Sequence, residues 1–228
     1  MSTAPALPLG SAVQLVILDC DGVLFDSWDA NVAFYDSILA QLGQSPLDHT
    51  GRELCHRLSG PQLWAHLFAA DPALHERAKA SAAQADYSPF YQLMRPMPAL
   101  EATLARLSAH CPLALATNRG RTVAGVLRHF ALERFFSIWV GILDVPRPKP
   151  APDLLLACLE RARVDAGASV FVGDTSVDYD AAAAAAVPYV GVGPQSGAHC
   201  TIRDLRELPD LVQIPVLPGR SLPRTRRR

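Results

Sequence analysis

Residues Leu15 to Ser27 read Leu-Val-Ile-Leu-Asp-Cys-Asp-Gly-Val-Leu-Phe-Asp-Ser, and this stretch decides the fold. Its first four residues are apolar without polar alternation, which predicts a strand buried on both faces of a parallel sheet. Asp19 then lies at the carboxyl end of the strand, where open α/β sheets bind their ligands. Together, Asp19 and Asp21 would attract a hard cation such as Mg²⁺. The alternative is an acidic turn in which Asp and Gly serve only the turn geometry.

The composition is that of a globular chain of 228 residues with a net charge of −1 and 50% apolar residues. This length suits one core domain and a smaller second one. The near-zero charge gives no electrostatic footprint for nucleic acid or a membrane surface, so we expect neither as a partner. The arginine-rich residues 220–228 are the exception, and a short basic tail of this kind is expected to be disordered and solvated.

The five cysteines are scattered singly, and no C-x-x-C pair occurs among them. Their odd number favours reduced thiols in a cytoplasmic protein over a disulfide framework or a zinc site. No signal peptide and no apolar run of about eighteen residues is found, so no membrane span is expected.

Further short apolar runs alternate with amphipathic stretches along the second part of the chain. The runs at 113–116, 137–142, 169–173 and 189–192 predict strands, and the stretches at 119–130, 152–162 and 176–186 predict helices. Alternation of this kind indicates βαβ units. The predicted fold class is therefore α/β, with a Rossmann-like parallel sheet between two layers of helices.

Residues 27–95 interrupt this alternation. Trp28, Val32, Tyr35, Leu39 and Leu42 recur at helical spacing, and no strand pattern follows between 46 and 91. We therefore expect residues 27–95 to form an all-helical inserted domain. The core would comprise 1–26 and 96–228, with 1–12 and 218–228 as disordered tails.

Polar residues follow the second and fourth predicted core strands. Thr117 and Asn118 come after 113–116, where they could cap a helix or bind a phosphoryl oxygen. Asp174 and Asp178 come after 169–173 and are one helical turn apart. Their alternative role is capping of the next helix, whose dipole favours acids at its N-terminus.

Lys149 is one of only two lysines and lies in the sequence Val-Pro-Arg-Pro-Lys-Pro-Ala-Pro-Asp, residues 145–153. The prolines stiffen this loop. A positive charge held in a rigid loop suits a fixed task, such as neutralising a phosphate. The alternative is a solvated charge on a rigid linker.

These pieces occur in the order Asp19/Asp21, Thr117, Lys149, Asp174/Asp178, and over residues 14–193 the chain resembles the haloacid dehalogenase superfamily, most of whose members are phosphatases. The resemblance implies that Asp19 is a nucleophile that forms an aspartyl-phosphate. Asp21 would protonate the leaving alkoxide and then activate water. Thr117 would hydrogen-bond to the transferring phosphoryl group, and Lys149 would neutralise it.

The resemblance also implies a Mg²⁺ ion bound by Asp19, Asp174 and the backbone carbonyl of Asp21, with Asp178 supporting the metal shell through Lys149 or water. A carboxylate that attacks a phosphate dianion needs such cations to offset the repulsion. The helical insertion would be the cap that closes over the site and selects the substrate. Additional candidates for substrate or phosphate contact are Asn118, Arg119, Arg147, His56, Ser59 and Gly60.

The expected reaction is Mg²⁺-dependent hydrolysis of a small phosphorylated metabolite, phosphoglycolate or a sugar phosphate, by a monomer or homodimer. Asp21 disfavours a dehalogenase, because dehalogenases of the superfamily lack this second aspartate. The main alternative is a phosphomutase of the β-phosphoglucomutase type. A phosphonatase would need a Schiff-base lysine in the insertion, where Lys79 is the only lysine and is expected on an exposed helix face. A binding module without activity would be expected to have lost a motif residue.

Overall fold

A computed structural model of the chain describes residues 13–212, except for the side chain of Gln195. The tails expected at 1–12 and 218–228 lie outside the described residues. Within residues 13–212, no helix is long and apolar enough to cross a membrane.

The core is a six-stranded sheet. Its strands are β1 (Leu15–Leu18), β4 (Leu113–Ala116), β5 (Phe136–Val140), β6 (Ser169–Gly173), β7 (Tyr189–Val192) and β8 (Thr201–Ile202). They lie in the order β5-β4-β1-β6-β7-β8, and every neighbouring pair is parallel. The predicted fold class is confirmed. Strand β1 lies in the middle of the sheet, between β4 and β6.

Both faces of β1 are covered, which explains why its sequence is apolar without alternation. Leu15 and Ile17 belong to one hydrophobic cluster, and Val16 and Leu18 belong to another. All four side chains are buried. Because successive side chains of a strand point to opposite faces, a continuous apolar run requires a layer of helices on each side.

The two layers consist of helices that follow the strands. The core helices are α5 (Leu100–Ser108), α6 (Thr122–His129), α7 (Asp153–Ala162), α8 (Ser176–Ala185) and α9 (Leu208–Leu211). Residues of α5, α6 and α9 contribute to one cluster, and residues of α7 and α8 contribute to the other. The alanine-rich α8 buries Ala181, Ala182 and Ala185, and these small side chains let it lie close to the sheet.

A two-stranded antiparallel ribbon, β2 (Phe25–Asp26) with β3 (Arg95–Pro96), joins the two ends of the inserted residues. Between these strands lie α1 (Trp28–Gln41), α2 (His49–Arg57), α3 (Gly60–Leu67), α4 (Pro72–Gln84) and a 3₁₀ helix (Ser88–Leu93). We call residues 27–94 the helical segment. It has its own hydrophobic cluster, which includes Ile38, Leu63 and Trp64.

Several sequence expectations differ from the structure in detail. The predicted strand 137–142 ends at Val140, because Gly141 turns the chain and donates its N–H to Asp144 Oδ2. Strands β2, β3 and β8 were not predicted, since two residues are too few to show a period. Trp28, placed on the apolar stripe of α1, is 42% exposed and stacks on His56 instead.

Candidate active site

The carboxyl ends of β1, β4 and β6 meet at one edge of the sheet, and each is followed by a predicted site residue. Asp19 follows β1, Thr117 follows β4 and Asp174 follows β6. These strands are adjacent, so the topology itself brings the three residues together. A cavity of about 310 Å³ opens beside them and is lined by Asp19, Asp21, Thr117 and residues of the helical segment.

Lys149 is buried between two carboxylates. Its Nζ lies 2.6 Å from Asp178 Oδ1 and 2.8 Å from Asp19 Oδ1, and it donates to the Ala116 carbonyl at 3.1 Å. Burial alone would lower the pKa of Lys149, but the charges of Asp178 and Asp19 outweigh it, so the pKa is raised and the ammonium is retained. The loop lysine is therefore a fixed charge and not a solvated one.

The backbone of Lys149 is held by Asn118. The Lys149 N–H donates to Asn118 Oδ1 at 2.9 Å, and Asn118 Nδ2 donates to the Lys149 carbonyl at 3.2 Å. The Arg119 N–H donates to Thr117 Oγ1 at 3.2 Å. These contacts keep 117–119 in a loop, so helix α6 begins at Thr122 and not at the predicted position 119.

Asp19, Asp174 and Asp178 form a carboxylate cluster, with one oxygen from each lying within 4.8 Å of the others. Burial, together with the charges of neighbouring carboxylates, raises the pKa of Asp19 to about 7 and that of Asp174 to about 8. Lys149 contacts two of the three carboxylates, and within residues 13–212 the buried Asp19 Oδ1 accepts no well-directed hydrogen bond. Crowded oxygens that lack enough positive charge are a suitable donor set for a hard divalent cation.

Two glycines allow these carboxylates to approach the backbone. Gly22 has φ +76°, and a Cβ added there would lie 1.9 Å from Asp174 Oδ2. A Cβ at Gly173 would lie 2.4 Å from Asp178 Cβ. A side chain at either position would therefore displace a member of the cluster.

Asp178 also caps helix α8, so its two sequence interpretations are compatible. Its Oδ2 accepts from the Thr175 N–H at 3.1 Å and from Thr175 Oγ1 at 2.6 Å, while its Oδ1 faces Lys149. Because Asp178 is only 1% exposed, its side chain is fixed by these contacts. It links the helix N-terminus to the lysine.

Asp21 is paired with Arg119 through both of its oxygens. Arg119 Nη2 lies 2.6 Å from Oδ1, Nε lies 2.8 Å from Oδ2, and Ser27 Oγ also donates to Oδ1. Burial by itself would raise the pKa of Asp21, but the adjacent guanidinium and these hydrogen bonds outweigh it and lower the pKa. Asp21 is therefore a carboxylate in this structure.

Two residues of the helical segment complete this pair, and sequence reasoning identified neither. Arg119 Nη2 also contacts Asn31 Oδ1 at 3.1 Å and the Tyr87 hydroxyl at 3.2 Å, and that hydroxyl donates to Asn31 Oδ1 at 2.6 Å. Ser27 and Asn31 are four residues apart at the start of α1 and therefore share one helix face. This spacing is the sequence feature that could have identified Asn31. Tyr87 gave none, since its contacts are long-range.

Of the other residues considered for substrate contact, some line the cavity and others lie away from it. Gly60, Asn118, Arg119 and His56 line the cavity, and burial lowers the pKa of His56. Ser59 is buried and binds the side chain of Gln62 in a capping box. Arg147 is exposed and paired with Asp153, and it is absent from the cavity wall. Lys79 lines the cavity and is paired with Glu76 at 2.9 Å.

Comparison with known proteins agrees with this geometry. A family model described as haloacid dehalogenase-like hydrolase matches residues 16–192. The phosphoglycolate phosphatase of Neisseria meningitidis is 34% identical over 79% of this chain and 80% of its own length. That of Pseudomonas putida is 33% identical over 80% of this chain and 70% of its own length. A crystallised HAD-superfamily hydrolase of subfamily IA from Geobacter sulfurreducens superposes with a TM-score of 0.69 at 34% identity, covering 89% of this chain and 98% of that one.

The chain belongs to the haloacid dehalogenase-like hydrolase family. The resemblance inferred from the motifs is confirmed, and so is the enzyme class, a hydrolase of the phosphatase type.

Proposed function

We propose that this chain is a Mg²⁺-dependent phosphatase that hydrolyses a small phosphorylated metabolite through an aspartyl-phosphate at Asp19. The observation that carries the proposal is the position of Asp19, which contacts Lys149 at 2.8 Å and shares a carboxylate cluster with Asp174 and Asp178 at the edge of the cavity. A nucleophilic carboxylate needs such neighbours, because it must approach a phosphate of the same charge.

Asp19, Asp174 and the backbone carbonyl of Asp21 would hold the metal, and Asp178 would support it through Lys149. Bound Mg²⁺ would offset the negative charge shared by the phosphate and the carboxylates. The crowding of Asp19, Asp174 and Asp178 supports this assignment. Burial and the neighbouring carboxylates raise the pKa values of Asp19 and Asp174, so a cation beside them would be favoured.

The proposed chemistry has two steps. An oxygen of Asp19 attacks phosphorus, the bond from phosphorus to the ester oxygen breaks, and Asp21 gives its proton to the departing alkoxide. Asp21 then takes a proton from water, which attacks phosphorus, releases inorganic phosphate and restores the Asp19 carboxylate. A phosphoryl dianion beside Asp21 would favour the protonated form that the first step requires. Thr117 would donate to a phosphoryl oxygen, and Lys149 would balance its charge.

The substrate class we propose is phosphoglycolate or a sugar phosphate. The names of the two curated relatives favour phosphoglycolate. A cavity of about 310 Å³ has room for a leaving group of either size. We further propose that residues 27–95 act as a cap over the site, because residues of α1, α2, α3 and α4 line the same cavity as Asp19. The five cysteines, all free, favour a reducing, cytoplasmic setting.

The proposal is tested by phosphate release from p-nitrophenyl phosphate and phosphoglycolate, with Mg²⁺ and with a chelator. We expect turnover that requires Mg²⁺ and is lost in Asp19→Asn. Asp180→Asn is the matched control, because Asp180 is an exposed acid on α8. Turnover of Asp19→Asn at the rate of the parent enzyme would refute the nucleophile. A sugar phosphate is assayed as a third substrate, and its isomerisation without release of free phosphate would identify a phosphomutase instead.

A further inference from the structure

We propose that Tyr87 and Asn31 are positioning residues for Asp21 and act on it through Arg119. This inference rests on the proposed role of Asp21 as the proton donor. None of the family motifs contains Tyr87 or Asn31, and both lie in the helical segment, whereas Arg119 lies in the core. The contacts therefore join the helical segment to the proposed reacting centre in the core.

Arg119 is a structural link and not a free substrate-binding cation. Each of its guanidinium nitrogens has an acceptor: Nε and Nη2 contact Asp21, Nη2 also contacts Asn31 and Tyr87, and Nη1 contacts Thr122 Oγ1 at 3.4 Å. The side chain is 7% exposed. A substrate anion could bind the edge of the guanidinium formed by Nε and Nη2 only by breaking the pair with Asp21.

The two oxygens of Asp21 are engaged unequally. Oδ1 accepts from Arg119 Nη2 and Ser27 Oγ, and Asn31 Nδ2 approaches it at 3.5 Å. Among the described residues, Oδ2 accepts only from Arg119 Nε. A carboxylate oxygen has two lone pairs, so Oδ2 keeps one available to carry the proton toward the ester oxygen. The network therefore decides which oxygen of Asp21 does the chemistry.

Tyr87 fixes the geometry of this network. Its hydroxyl donates to Asn31 Oδ1 at 2.6 Å and accepts from Arg119 Nη2 at 3.2 Å, and the Arg119 guanidinium lies 4.8 Å from the centre of its ring. With Oδ1 of Asn31 held in this way, its Nδ2 faces Ser27 Oγ at 3.4 Å and Asp21. Loss of the hydroxyl frees both Asn31 and Arg119 to rotate.

The test uses the different needs of two leaving groups. The alkoxide oxygen that leaves phosphoglycolate must be protonated as it departs, whereas p-nitrophenolate is a stable anion that leaves without a proton. Misplacing Asp21 should therefore slow the first step with phosphoglycolate and spare it with p-nitrophenyl phosphate, whereas the second step, in which Asp21 activates water, is common to both substrates. Because kcat/KM reports only the steps up to departure of the leaving group, we expect Tyr87→Phe to lower kcat/KM about 10-fold for phosphoglycolate and less than about 2-fold for p-nitrophenyl phosphate, since a well-placed acid contributes about 10²-fold or more.

Tyr91→Phe is the matched control. Tyr91 lies in the 3₁₀ helix that begins directly after Tyr87, and its hydroxyl faces Gly125 of the core, but no hydrogen bond joins it to Arg119. We expect Tyr91→Phe to leave the ratio of the two kcat/KM values unchanged. Arg119→Lys keeps the charge and loses the two-point contact with Asp21, so it should shift the ratio in the same direction. If Tyr87 acts through Arg119, the double variant should be no slower than Arg119→Lys alone.

The outcomes separate this inference from the proposed function. Mg²⁺-dependent turnover that is absent in Asp19→Asn establishes the phosphatase. Within that result, an equal loss of kcat/KM on both substrates in Tyr87→Phe, or no loss of kcat/KM on either, overturns the positioning role. If the parent enzyme releases phosphate from neither ester, the proposed function fails and the inference fails with it.

Discussion

Asp174 lies directly over Gly22, so closely that a Cβ added to the glycine would be 1.9 Å from Asp174 Oδ2. Gly22 also has φ +76°, a conformation that side chains rarely adopt. We predict that Gly22→Ala loses both stability and phosphate release, since the strain costs about 1–3 kcal/mol and Asp174 must move. Urea unfolding and Mg²⁺-dependent turnover measure the two losses.

Gly43→Ala is the control that separates the effect of backbone strain from that of steric overlap with Asp174. Gly43 has a similar φ of +71°, but among residues 13–212 no heavy atom beyond its chain neighbours lies within 4 Å of a Cβ added there. Gly43→Ala should lose a comparable amount of stability through backbone strain and should keep full turnover. Equal turnover in the two variants would show that Asp174 does not need its observed position.

The raised pKa values of Asp19 and Asp174 predict how pH and Mg²⁺ act together. In the folded protein, Asp19 and Asp174 keep their protons up to about pH 7 and about pH 8. In the unfolded chain, both acids lose their protons near the ordinary pKa of 3.8. The folded state binds more protons between about pH 4 and about pH 8, so these groups lower the free energy of unfolding of the metal-free protein as pH rises through this window. Bound Mg²⁺ should compensate, and its stabilisation should be greater at about pH 8 than at about pH 5.

Thermal unfolding with and without Mg²⁺ at the two pH values checks this expectation. Asp174→Asn removes one of the titrating groups and one of the proposed ligands, so the pH dependence of the Mg²⁺ shift should shrink. Asp180→Asn, on the exposed side of α8, should retain it. An equal Mg²⁺ shift at both pH values in the unmodified protein would contradict the expected cluster chemistry.

Most of the candidate site could be predicted because its residues follow strand ends. Asp19, Thr117 and Asp174 terminate three adjacent parallel strands, and a parallel sheet brings such ends to one edge. Lys149 stood out because the chain has only two lysines. These signals are local, and the sequence carries them without knowledge of long-range contacts.

The partners of Asp21 could not be predicted, because they are set by packing between distant parts of the chain. Arg119 was expected in a helix and against the substrate, whereas it lies in a loop with its nitrogens engaged. Tyr87 lies 32 residues from Arg119 and shows no periodic pattern toward it. Two-residue strands such as β2 and β3 have no detectable period for the same reason: only their pairing defines them.

The tight contact between helix α8 and the sheet predicts a size limit at its inner face. Ala182 is fully buried there, while Ala184 on the same helix is exposed. We predict that Ala182→Leu lowers the free energy of unfolding by about 1–3 kcal/mol through overpacking. Ala184→Leu should change it by less than about 0.5 kcal/mol. Urea unfolding of both variants checks the difference, and equal values would mean that the packing is looser than the structure shows.

The two basic residues of the proline-rich loop should differ in their effect on turnover: removing the charge of Lys149 should slow it, and removing that of Arg147 should not. Lys149 is buried against Asp19 and Asp178, whereas Arg147 is exposed and paired with Asp153. We predict that Lys149→Met lowers kcat for phosphoglycolate by about 10²–10³-fold, since a fixed charge beside the phosphoryl group is lost from a water-poor site. Arg147→Met should retain the kcat and KM of the parent enzyme, because an exposed ion pair contributes little. A rise in KM for Arg147→Met would instead restore Arg147 as a substrate contact, and turnover that survives in Lys149→Met would remove the lysine from the reacting centre.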